Sequence, residues 1–221
     1  MAKRKRGKSR KNGKRGESGT RGRKAGKAHR LAADVLPGEV ELQLELDPAR
    51  GKAFKGEVAF ELRLERQRRS IELHAADLRV SRARLETEKG NLRGSIEPHP
   101  ERETVEVRFD QPVASGAVTL RLGFAYKLRS DLRGLYAASS NGRQYAFTQL
   151  EAADARRFFP CFDEPAMKAR FQISVTTGTG NTVLSNSPVA KIEPLGGGRK
   201  RVHFGPTPPL STYLLALAVG E

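Results

Sequence analysis

Four histidines, one cysteine and a cluster of carboxylates define the chemistry that this 221-residue chain can hold. His29, His74, His99 and His203 show no i, i+4 spacing, and none opens an H-E-x-x-H run. That spacing matters because two imidazoles one helical turn apart can bind the same zinc ion, with the glutamate beside them as base. No catalytic residue and no metal ligand is therefore expected from this chain alone. His74 and His203 fall within alternating patterns and read as sheet residues. No G-x-S-x-G occurs, which leaves serine-nucleophile chemistry without support. Cys161 lies in the apolar run Phe158 to Phe162 and reads as a buried thiol. Gly7 to Lys14 approaches a phosphate-binding loop, but five residues separate its glycines where four are needed, and Arg15 stands where Ser or Thr should bind magnesium.

Residues 145–171, YAFTQLEAADARRFFPCFDEPAMKARF, combine the acids Glu151, Asp154, Asp163 and Glu164 with arginines, prolines and aromatics in a stretch without period. Such composition suits an ordered loop held by internal hydrogen bonds and ion pairs. The plain structural reading pairs Arg156 or Arg157 with Asp163 or Glu164, since structural ion pairs far outnumber catalytic ones.

The elements around this segment read as strands. Val40, Leu42, Leu44 and Leu46 alternate with charged and polar residues, as do Val58, Phe60, Leu62 and Leu64. A period of two places the apolar side chains on one face of a half-buried strand. The pattern returns at Val105 to Phe109, Val118 to Phe124 and Phe171 to Val175. Turn residues separate these runs at Asp47-Pro48, Lys89-Gly90-Asn91, Ser115-Gly116 and Gly178 to Asn181, and Leu195 to Arg201 reads as a hairpin tip. Short strands with no helical period predict an all-β, antiparallel domain, a β-sandwich or barrel-like, over residues 31–221.

Charge is unevenly distributed. The chain has 41 Lys and Arg against 25 Asp and Glu, and residues 1–30 hold 14 of the basic groups with Glu17 as their one acid. A segment so charged and so poor in apolar residues cannot offset its ordering entropy, so residues 1–30 read as a disordered basic tail. Two readings of it stay open: non-specific contact with nucleic acid or another anionic partner, or a solvated leader with none. Aromatics that would stack on bases are absent from it. No apolar run is long enough for a transmembrane segment, and Asp34 and Pro37 interrupt any secretory h-region. A single cysteine excludes an intramolecular disulfide and fits a reducing, cytoplasmic setting.

Several blocks carry a resemblance. Thr148 to Arg157 (TQLEAADARR), Phe159 to Pro165 (FPCFDEP) and Lys168 to Phe171 (KARF) resemble the T-Q-x-E-A-x-D-A-R-R…P-C-x-D-E-P…K-A-x-F block of the aminopeptidase N family. Phe54-Lys-Gly56, Leu73 to Leu78, Gly134-Leu-Tyr136, Leu184 to Val189 and Ser211 to Ala216 are similar to further family blocks, in the same order. These enzymes are zinc exopeptidases of the gluzincin class, which includes leukotriene A hydrolase. The resemblance covers roughly residues 35–221 and implies the family's N-terminal domain, a saddle-shaped β-sandwich.

The resemblance also implies roles. Glu151 would lie on a loop reaching the active site of the next domain and bind the free α-ammonium of a peptide, with Gln149 near the first substrate side chain. A carboxylate in a closing pocket makes a charge-assisted bond to an ammonium and selects against a blocked N-terminus. The resemblance implies that zinc in an intact family enzyme is held by H-E-x-x-H and a distal glutamate, in a catalytic domain that also brings G-x-M-E-N and an oxyanion-stabilising tyrosine, and this chain has none of these motifs. Pro37-Gly38-Glu39-Val40 replaces the family's Pro-x-His-Tyr. The expectation is a truncated chain with no zinc and no peptidase activity of its own. Two alternatives remain: a noncatalytic β-sandwich binding module acting through its basic tail, and a split enzyme completed by a separately encoded zinc domain.

Overall fold

The computed structural model describes Met1 and residues 29–221; the greater part of the basic segment, including the expectation that residues 1–30 are disordered, lies outside the described residues. Val35–Leu46 (β1) and Ala53–Leu64 (β2) form the first hairpin, joined through Asp47-Pro48. Their alternation has the predicted consequence. Leu42, Leu44, Val58, Phe60 and Leu62 are buried, while Glu41, Gln43, Glu61 and Arg63 face out.

Arg68–His74 (β3), Arg79–Thr87 (β4), Gly90–His99 (β5), Thr104–Val113 (β6) and Gly116–Lys127 (β7) follow. With Arg170–Gly178 (β10), Val189–Gly196 (β12) and Arg199–Phe204 (β13) they complete a ten-stranded sheet, ordered β12-β13-β10-β1-β2-β7-β4-β5-β6-β3. A second sheet holds Gly134–Ser140 (β8), Arg143–Gln149 (β9), Thr182–Ser185 (β11) and Leu217–Gly220 (β14), in the order β11-β14-β9-β8. Among the described residues there is no α-helix, and no helix is long and apolar enough to cross a membrane.

The all-β prediction holds, with one correction. The sheet is mixed, not purely antiparallel, because β1 and β10 run parallel from Glu39↔Arg170 to Glu45↔Thr176. Parallel neighbours need a long crossover, and here the chain forms six strands of the large sheet and two of the small one between β1 and β10. The Gly196–Gly198 tip joins β12 to β13 as read from the sequence, with all three glycines at positive φ.

Phe158, Phe159 and Phe162 connect the sheet to the loop that follows β9. Phe162 meets Phe60 edge-on at 5.4 Å, and Phe159 meets Phe171 at 6.4 Å. All of these rings are buried, so the loop's aromatics form part of the main core. Burial of this kind fixes a segment that has no strand ladder of its own.

Candidate functional site

The loop between β9 and β10 emerges from the second sheet at Gln149. Leu150 is buried and anchors the exit, so its neighbours Gln149 and Glu151 are both exposed. The Asp154 N–H donates to the Leu150 carbonyl at 2.9 Å and closes a tight turn that presents Glu151, Ala152 and Ala153 to solvent. The Glu151–Ala152 peptide is cis. A short 3-10 turn, Ala155–Arg157, follows.

Ion pairs hold this turn from below. Asp154, 8 % exposed at its side chain, accepts a two-pronged contact from Arg133 (3.0 and 3.0 Å) and a third bond from Arg157 Nε at 2.9 Å. Arg157 also donates to Asp77 at 2.8 Å and to Glu103. Arg156 donates through Nε to Asp163 at 2.9 Å and through Nη1 to Glu103 at 3.2 Å. Asp163 accepts a further bond from the Thr212 hydroxyl at 2.7 Å. Bidentate and shared guanidinium contacts of this sort fix geometry as well as charge. Gly134, on β8 opposite Gln149, lets Arg157 approach. A Cβ there would stand 2.8 Å from Arg157 Cβ, and its φ is +65°.

A second anchor joins the loop to β3. His74 and Cys161 exchange backbone hydrogen bonds of 2.9 and 3.0 Å, and the Asp163 N–H donates to His74 Nδ1 at 3.2 Å. Burial and the nearby Arg156 hold the His74 imidazole down to about 4, so it is a neutral acceptor at neutral pH. Burial pushes the Cys161 thiol well above its usual range, as fits an inert packed group.

The four acids of the segment therefore divide. Asp154 and Asp163 are bound to arginines, and Glu164 accepts from Arg30 at 3.1 Å and from the Leu31 N–H at 2.7 Å. Glu151 forms no hydrogen bond or ion pair among the described residues, and neither does the Gln149 side chain. The structure brings these two predicted residues to the same exposed edge but encloses neither. A cavity of about 740 Å³ near the β1–β2 turn and one of about 630 Å³ between β4 and β5 include neither residue. The supporting ligands Asp77, Glu103 and Arg133 were not apparent from the sequence, because each is distant in the chain from the loop it holds.

The zinc ion that the resemblance implies for an intact enzyme has no matching donor set here. Among the described residues one metal-ligating group comes together, Glu97, His99 and Glu106. Arg108 already donates to both of its carboxylates at 2.7 Å, which places a fixed cation where a metal would sit. The group includes neither Gln149 nor Glu151, and no zinc-dependent step is derived from it.

Comparison with known proteins gives a consistent match. The Peptidase M1 N-terminal domain family matches residues 36–214. Aminopeptidase M1 of Arabidopsis thaliana is 36 % identical over 200 residues, covering 86 % of this chain and 22 % of the relative. Aminopeptidase M1-B of Oryza sativa subsp. japonica is 35 % identical over 195 residues, with coverage of 86 % and 22 %. Aminopeptidase N of Acetobacter pasteurianus is 33 % identical over 199 residues, with coverage of 88 % and 55 %. The chain thus spans about a fifth of the plant relatives' length and about half of the bacterial one.

Proposed function

The chain belongs to the Peptidase M1 N-terminal domain family, and we propose that it serves a zinc aminopeptidase as the domain that anchors the substrate's free α-amine. Glu151 receives the ammonium group in this reading, and Gln149 borders the first substrate side chain. The zinc, its ligands and the general base come from a catalytic domain joined to this one or encoded separately. The zinc would polarise the attacking water. This chain's own contribution is to hold a carboxylate at a set position and to disfavour peptides whose N-terminus is blocked.

The observation that carries the reading is the asymmetry among the loop's acids. Three are consumed by structural partners, whereas Glu151 stands exposed and without a partner among the described residues, on a turn clamped by Asp154, Arg157 and buried aromatics. A loop stabilised by all four acids would not leave one of them outside the network. A carboxylate on a rigid turn loses little conformational freedom on binding, which favours a defined contact with an ammonium.

The test is to assay hydrolysis of an aminoacyl-coumarin by this chain alone, with and without zinc, and after addition of a zinc-bearing M1 catalytic domain. The expected result is no turnover by the chain alone and turnover by the assembly. Zinc-dependent hydrolysis by the isolated chain would overturn the assignment of catalysis to another domain.

A further inference from the structure

The four strands of the second sheet are apolar on both faces. Inward, Leu135, Ala146, Leu217 and Val219 are buried in the core. Outward, one register row crosses the whole sheet as Leu184, Ala218, Phe147 and Tyr136, on β11, β14, β9 and β8 in turn. The next row brings Tyr145 on β9 beside Ala138 on β8. An antiparallel sheet with one solvated face normally alternates apolar residues inward with polar residues outward. The ten-stranded sheet follows that rule, with Glu41, Gln43, Glu61 and Arg63 on its outer face. The four-stranded sheet does not.

The outer face is open and already ordered. Apart from Met1, Leu184 is the most exposed large hydrophobic side chain of the described residues, at 63 %. Tyr136, Tyr145 and Phe147 are half-buried. Phe147 lies 6.1 Å from the Tyr136 ring and 6.0 Å from the Tyr145 ring, the second pair stacked. Tyr145 in turn rests over β14, where a Cβ on Gly220 would stand 2.3 Å from its ring. Aromatics held in this way lose little freedom when something docks on them. None of the outward positions in the two rows is charged. The nearest charge along β9 is Arg143 at the β8–β9 tip, and it already meets Glu221 at 3.6 Å.

Uncharged aromatic and aliphatic side chains in a contiguous patch are what the centre of a protein–protein interface presents, and an ordinary solvated surface avoids them. The longer row crosses three strand spacings, roughly 14 Å. Strand β9 indicates the partner. Tyr145, Phe147 and Gln149 succeed one another at every second residue on this face, and the chain then turns to present Glu151. A body that carries a peptide amine to Glu151 must stand against this edge of the sheet, and therefore beside the aromatics.

We infer that the outer face of the four-stranded sheet is the docking surface for the zinc-bearing catalytic domain. The choice of partner rests on the proposed role of Glu151, whereas the apolar face is a property of the sheet itself. The contact is apolar at Leu184, Phe147 and Tyr136 and becomes polar toward Gln149 and Glu151. Covering the aromatics removes water beside the carboxylate, and a charge-assisted bond to an ammonium is stronger there than in open solvent. Docking and amine recognition are thus served by one strand, β9, and the turn that follows it.

The test uses the full chain and a zinc-bearing M1 catalytic domain made without its own N-terminal domain, with association read by isothermal titration calorimetry. Wild type is compared with Leu184→Asp, with Phe147→Gln, and with the control Leu195→Asp, an exposed leucine on β12 of the other sheet. Each face variant should weaken binding by about tenfold or more, and the control by less than about twofold. No association of the wild-type chain, or equal affinities for wild type and Leu184→Asp, would overturn the inference. A wild-type dimer in sedimentation that Leu184→Asp dissociates, and that the catalytic domain does not displace, would assign the face to a second copy of the chain and overturn the choice of partner. The readout is affinity and needs no turnover, so it is separate from the amine-anchor role. Unchanged selectivity in Glu151→Gln would count against the anchor alone, and unchanged affinity in Leu184→Asp against the docking face alone. If Phe147→Gln does not fold, Leu184→Asp decides, because its side chain lies outside the core.

Discussion

Replacing Asp154 by Asn removes the charge at the centre of the clamp while keeping its size. The carboxylate is 8 % exposed and accepts two bonds from Arg133 and one from Arg157. Asn offers one acceptor oxygen and points an amide donor at guanidinium groups that can only donate. Arg157, 13 % exposed, keeps Asp77 and Glu103 but loses the acceptor of its Nε–H in a partly buried position. Losing the charge-assisted bonds at this buried carboxylate costs about 3 kcal/mol. With a urea slope of about 2 kcal/mol per molar, the unfolding midpoint should fall by roughly 1.5 M. Arg133→Ala serves as the internal contrast, because that side chain is half exposed and its loss leaves Asp154 with Arg157; its midpoint should stay near wild type. Urea melts followed by circular dichroism measure both. Equal midpoints for wild type and Asp154→Asn would refute the clamp.

Three further outcomes follow from the same geometry. His74 binds its proton at about 4 in the folded chain and near 6.5 when unfolded. The unfolded chain therefore takes up the proton first, stability falls as pH drops from 6.5 toward 4, and it levels off below. By pH 5 this amounts to about 2 kcal/mol, measured as extra acid sensitivity relative to His74→Gln in parallel denaturant melts. Gly134→Ala should cost about 2 kcal/mol, because the residue holds φ +65° and its Cβ would press on Arg157; a thermal melt checks it. Cys161 should resist a thiol-reactive disulfide reagent in the native protein and react at once in urea, since it is fully buried.

Much of the fold could be read directly from residue types. β1, β2 and β7 alternate cleanly because each buries one face completely, and the Arg156–Asp163 pair was visible because both partners lie in one short segment. Other elements gave no such signal. β5 contains no fully buried residue and β12 leaves Val189, Ile192 and Leu195 exposed, so neither shows a core-facing period. The parallel pairing of β1 with β10 depends on a partner far along the chain, which local alternation does not encode. The same limit hid Asp77, Glu103 and Arg133, which act on the loop from other elements. Glu151 was singled out by family resemblance, and the folded chain adds that, alone among its neighbouring acids, it has no structural partner among the described residues.

The most direct test of the proposed function is the effect of Glu151→Gln on selectivity, in an assembly that contains the zinc domain. Initial rates would be compared on one dipeptide amide with its α-amine free and on the same compound acetylated. A charge-assisted bond worth about 2.7 kcal/mol corresponds to a hundredfold loss of kcat/KM on the free amine. The expected result is that loss with the acetylated rate unchanged, so that the preference for a free N-terminus collapses. Undiminished kcat/KM on the free amine, in a variant whose unfolding midpoint matches wild type, would contradict the assignment of Glu151 as the amine anchor.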